Sequence, residues 1–128
     1  MSSQLFCELY VDTDESIESV KEILERHCLE VFQKIVVEVV VYRNEDYQPS
    51  ARQSFPYSAI LCSPYHVEID ATNTNPGLMR EFHVGTADLV RFLRAGGRFV
   101  TASCDFEDLI ADLTGWNWTK ESPEPPGR

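Results

Sequence analysis

Residues 35–42 read IVVEVVVY, and how these positions are read decides the fold. They are β-branched almost throughout, and Glu38 is their only charge. Branched side chains are stiff at χ1 and fit a pleated sheet better than a helix, so the stretch is expected to form a strand. With almost no polar alternation it reads as a central strand, mostly covered on both faces. Upstream, residues 4–11 do alternate: Leu5, Cys7, Leu9 and Val11 share one face, and Phe6, Glu8 and Tyr10 the other. That is the pattern of a half-buried strand. Between the two strands, Asp12, Thr13 and Asp14 offer N-cap side chains, and Ile17, Val20, Leu24, Cys28 and Val31 form one helical stripe. Glu15, Glu18, Glu22 and Glu25 form a second, roughly opposite stripe, so an amphipathic helix is expected to dock its apolar side on the sheet.

Downstream, RNEDYQPSARQSFP at 43–56 is polar, with two prolines, and reads as a long loop. A second β segment spans 57–70, broken at Pro64, which cannot donate to a ladder. Within it Tyr65, Val67 and Ile69 share one face, leaving His66, Glu68 and Asp70 on the other. The turn cluster ATNTNPG leads into a helix over 78–93 with Leu78, Phe82, Leu89, Phe92 and Leu93 as core residues; Gly85 weakens its middle and Gly96-Gly97 stops it. RFVTASC reads as a short strand. In the following SCDFEDLIADL, Phe106, Leu109, Ile110 and Leu113 fall at i, i+3, i+4 and i+7, one buried helical face closed by Gly115. The order strand, helix, strand, strand, helix, strand, helix points to an α+β chain: a ferredoxin-like βαββαβ sandwich with an additional C-terminal helix. One domain over 1–119 and a disordered, proline-rich tail over 120–128 are expected.

The 128 residues are 43% apolar, enough for one real core. Acids outnumber bases 21 to 11, a formal charge of -10, which disfavours nucleic-acid binding and favours cationic partners. The four cysteines contain no CxxC pair and sit at or beside apolar-pattern positions, as reduced core thiols would in the cytoplasm. No stretch approaches the ~20 apolar residues of a membrane span. No glycine loop opens a helix in the way that cradles phosphate.

The remaining chemistry centres on carboxylates. Asp105, Glu107, Asp108 and Asp112 surround the start of the last helix, where one or two acids serve as caps and complement the helix dipole. The rest of the cluster is left for function. Glu68 with Asp105 is a conceivable glycosidase pair, and Asp70 with Asp105 and Asp108 a conceivable hard-cation site, though no motif fixes either geometry. The DTDES run fails as a calcium loop because Ile17 stands where the sharp turn needs glycine. Cys104 precedes a helix but is surrounded by acids that disfavour a thiolate. His27, His66 and His83 lack metal-ligand spacing, and Cys62 with His66 is an incomplete pair. No catalytic residue, metal ligand or cofactor is assigned. Trp116 and Trp118 flank the last helix, as interface anchors or as cover for a core edge.

Residues 55–108 carry FPYSAILCSPYHVEID, a spacer and helix ending LVRFLRAGG, and then RFVTASCDFED. This run resembles the second half of small bacterial immunity and immunity-like proteins associated with polymorphic or contact-delivered toxins. The resemblance implies a cytoplasmic protein, without enzymatic activity, that binds and neutralises a cognate toxin. Acidic composition fits a toxin with a basic surface. Asp105, Glu107, Asp108, Glu68, Asp70 and Trp116 are the expected partner-binding residues. The rival classes are a small carboxylate-dependent hydrolase or metal-binding enzyme, and a homodimeric structural or regulatory domain.

Overall fold

A computed structural model of the chain describes residues 3–72 and 76–128. The fold is α+β, with a four-stranded antiparallel sheet and four helices among the described residues. In chain order these are β1 (Phe6–Asp12), α1 (Ile17–Val31), β2 (Val37–Arg43), α2 (Ala59–Cys62), β3 (Tyr65–Ala71), α3 (Met79–Ala95), β4 (Phe99–Ser103) and α4 (Glu107–Thr114). The strand order is β2-β3-β1-β4. Because β3 is antiparallel to both β1 and β2, those two strands run parallel with β3 between them; β1 separates β3 from β4 in the same way. Two βαβ units therefore interleave. No described helix is long and apolar enough to cross a membrane.

The alternation read in β1 and β3 places Cys7, Leu9, Val11, Val67 and Ile69 on the core face, joined by Val100 and Ala102 of β4. Val20, Leu24 and Cys28 of α1 and Phe82, Leu89, Val90 and Leu93 of α3 pack on the same face. Burying each such side chain contributes about 1.5–3 kcal/mol. Phe106 and Ile110 carry this core under α4, with the Phe106 ring edge-on to Phe82 at 5.8 Å. Gly85 has a packing role: a Cβ there would meet the Phe32 ring at 2.6 Å, so its absence lets that ring lie against α3 and stack on Phe82.

Several expectations change. IVVEVVVY supplies β2, but β2 is an edge strand with half-buried valines, because β-branching reports fit to a pleat and not position within a sheet. Residues 57–63 hold the short helix α2 instead of a strand; Ser58 caps it by accepting from the Leu61 N–H, and β3 begins only after Pro64. Phe92 is 38% exposed, with its ring against His27 and not in the core. Residues 120–128, expected to be disordered, lie against the domain. Glu124 accepts from the Tyr57 N–H, and Arg128 bonds Glu124 and the carbonyls of Arg52 and Ser54.

The cap of α1 is Ser16, whose Oγ accepts from the Ser19 N–H, in place of the aspartates upstream. Glu15 instead forms a two-point pair with Arg98 just before β4 and accepts from the Thr13 and Ser19 hydroxyls. The Arg98 guanidinium holds the Glu15 carboxyl below its usual range. A depressed folded-state pKa adds stability above the unfolded value, about 4.3, and loses it as pH falls through the folded value. Glu15→Gln is accordingly expected to cost about 1 kcal/mol at neutral pH and progressively less below about pH 4, as urea denaturation across that range would register.

Candidate functional site

Helices α1, α3 and α4 pack on one face of the sheet, and strand register dictates what the other presents. Asp70 lies between Glu38 and Phe6 in one cross-strand row. In the next, Glu68 lies between Val40 and Glu8, with Ser103 beyond Glu8. In the third, His66 lies between Tyr42 and Tyr10, with Thr101 beyond. Four carboxylates thus occupy two adjacent rows, as the directly opposed pairs Glu38–Asp70 and Glu8–Glu68, and none of these rows holds a lysine or arginine. Like charges placed directly opposite destabilise a sheet, so the arrangement is kept at a cost to the fold.

The third row is aromatic. The His66 ring stacks on Tyr42 with centroids 4.8 Å apart and lies 6.2 Å from the Tyr10 ring. Burial, together with the neighbouring Glu8 carboxylate, pushes the Tyr10 phenol up to about 12. His66 Nδ1 is shielded from solvent and has no hydrogen-bond partner, since Glu8 Oε1 stands off at 3.6 Å. Ligand atoms of Glu8, His66 and Glu68 all lie within 4.8 Å of one another. Toward β4 the face continues into a cavity of about 430 Å³ lined by Tyr10, Ile60, Thr101, Ser103, Glu107 and Trp118.

The far end of the face is closed by the chain itself. Tyr57, Ala59 and Cys62 cluster with Phe99 and Trp118, and the Trp118 indole donates to the Tyr57 carbonyl. Beneath them Asp12 bridges Arg52 at 2.8 Å and accepts from the Tyr57 hydroxyl at 3.0 Å. Burial and the Asp12 carboxylate raise the Tyr57 phenol far above its ordinary value, keeping it a donor.

The sequence-predicted site residues fall into separate groups. Glu68 and Asp70 are on the open face. Asp105 and Asp108 are exposed at the start of α4, and Glu107 is half-buried with Oε1 accepting from the Cys104 N–H at 3.1 Å. Glu107 therefore serves the helix start, and Phe106, not Asp105, occupies the N-cap position. β1 runs between β3 and β4, so Glu68 and Ser103 stand two strand spacings apart, roughly 10 Å. Glu68 meets Glu8, not the Asp105 cluster. Trp116 is only 7% exposed: its indole donates to the Ser122 carbonyl and its ring faces Arg94 at 5.2 Å, so it anchors the tail and offers no surface to a partner. Cys7 has its thiol pKa raised well above the ordinary range by its hydrogen bond with Cys104 and by burial, which favours a packed thiol.

Glu8, His66, Tyr10 and Tyr42 were not singled out as site residues. Their signal lay in the polar positions of the two alternating strands, which only the register turns into rows. Comparison with protein-family models, with curated proteins and with solved structures finds no match.

Proposed function

We propose that the chain is a ferredoxin-like sandwich with an additional C-terminal helix, acting as an immunity-type protein that binds and neutralises a cognate toxin in the cytoplasm. The interleaved βαβ units support the fold assignment. One observation carries the functional reading: Glu8, Glu38, Glu68 and Asp70 stand in adjacent rows with no basic residue among them, beside the rings of Tyr10 and Tyr42. Opposed carboxylates that weaken the isolated sheet are relieved when a partner's lysines and arginines reach between them. Tyrosines supply rigid, amphipathic anchors of the kind that dominate binding energy. An interface of roughly 1,600 Å² centred there would extend across β1 toward Asp105 and Asp108. The reading assigns binding and no turnover.

Growth rescue tests it. A candidate toxin domain, sought in the neighbouring open reading frame, is expressed in a bacterial host with or without this chain. The wild-type chain is expected to restore growth, and the triple variant Glu38→Lys, Glu68→Lys, Asp70→Lys to lose at least 100-fold in plating efficiency while remaining folded by circular dichroism. Absence of rescue, or rescue indifferent to the three reversals, contradicts the proposal.

A second reading, a homodimeric domain, is favoured by the β2 edge. There Val36 is 66% and Leu29 80% exposed beside a groove of about 590 Å³ that Val37 and Val39 also line. An open apolar edge is a template for pairing with a second copy. Sedimentation equilibrium separates the two readings.

A further inference from the structure

We propose that Glu8, His66 and Glu68 form a binding site for one divalent transition-metal cation of the zinc class. The inference does not depend on the toxin-binding reading, since it concerns the free protein.

Three observations converge. The ligand atoms of the three side chains lie within 4.8 Å of one another, on neighbouring strands whose register fixes them. His66 Nδ1 is buried without a hydrogen-bond partner, although a shielded ring nitrogen normally finds one. It faces Glu8 Oε1 at 3.6 Å, too far for a hydrogen bond and close to the spacing of two ligands on one ion. Bonds of about 2.0–2.2 Å in a tetrahedron place ligand atoms roughly 3.4 Å apart. Glu8 and Glu68 also oppose each other directly, a repulsion that a dication between them would convert into attraction.

The donor set selects the class of ion. One imidazole nitrogen with two carboxylates suits zinc and its neighbours. Calcium and magnesium want about six oxygen ligands, whereas the next carboxylates, Glu38 and Asp70, sit one row further along the strands, about 7 Å away. Tyr10 and Tyr42 flank the histidine ring and restrict its orientation, and the Tyr10 phenol lies beside Glu8, as supporting groups do around metal ligands. Three protein ligands leave a fourth tetrahedral position for water or a partner's side chain.

Calorimetric titration of the full chain with zinc chloride, under a non-chelating reductant, decides the matter. One equivalent is expected to bind, with affinity reduced at least tenfold in both Glu68→Gln and His66→Ala. Cys104→Ser and His27→Ala should stay within twofold of wild type, and cobalt substitution should give a spectrum without thiolate charge-transfer bands. Zinc should also raise the melting temperature of the wild type and not of Glu68→Gln, a near-isosteric change that keeps the test valid if His66→Ala fails to fold. The proposal is overturned by absence of binding, by binding unchanged in Glu68→Gln, by binding lost in Cys104→Ser, or by magnesium binding as tightly as zinc.

Discussion

Replacement of Phe82 by alanine is expected to lower the unfolding free energy by about 3–5 kcal/mol. The ring is fully buried in α3. It stacks on Phe32 at 5.6 Å, just past the end of α1, and meets Phe106 at 5.8 Å, just before α4. These two neighbours lie on different chain segments, so the space left by the ring cannot close by moving one of them. A domain of this size has about 5–15 kcal/mol in total, and the variant should be near the edge of folding at 37 °C. Urea denaturation measures the loss, with Leu113→Ala as a reference: Leu113, which the spacing puts on the buried face of α4, is 39% exposed, and the change is expected to cost less than about 1 kcal/mol. A loss below about 1 kcal/mol for Phe82→Ala would mean that α4 does not share the core with α1 and α3.

The second large effect belongs to Asp12. Its carboxylate is buried at the end of β1, pairs with Arg52 and accepts from the Tyr57 hydroxyl. Arg52 also donates to the carbonyls of Thr13 and Cys62, so this cluster fastens the 49–62 segment to the sheet. Burial pushes the Asp12 carboxyl upward, against the pull of Arg52 and Tyr57. Without Asp12, Arg52 still pairs with Asp14 and two carbonyls, but the buried Tyr57 hydroxyl loses its acceptor, and Asp12→Ala is expected to cost about 1–3 kcal/mol. Asp12→Asn keeps an acceptor for Tyr57 and should cost less. The loss should also appear as faster proteolysis of residues 43–56, because Tyr57 in turn holds Glu124 and Trp118. Equal, small losses for both variants would show that the network contributes little to the fold.

Period-2 alternation in residues 4–11 and 65–70 and the 3.6-residue stripes of α1 and α3 made most elements legible in the sequence. Those patterns follow directly from which face is buried. The position of β2 was not legible, because a run of valines fits an edge and a centre equally well. The α2 turn was hidden in an apolar stretch too short for periodicity to separate helix from strand. The tail was misjudged because composition carries no information about the particular contacts of Trp116, Glu124 and Arg128. For the site, Glu68 and Asp70 were found as the polar side of β3. Glu8 and His66 were visible as residues, but their meeting depends on a register set by long-range pairing, which neither strand's own sequence specifies. The acids at 105–108 were misleading in part, since Glu107 serves the start of α4.

The central claim is that the open acidic face of the sheet is the docking surface. Its most direct test is the association rate constant with the proposed toxin partner, measured by stopped flow for wild type and for the Glu38→Lys, Asp70→Lys double variant. Charge-steered docking predicts that the wild-type rate falls at least tenfold between about 50 and 300 mM salt, and that the double variant is slow already at the lower salt. A rate indifferent to both salt and the two reversals would place the partner on another surface and contradict the account.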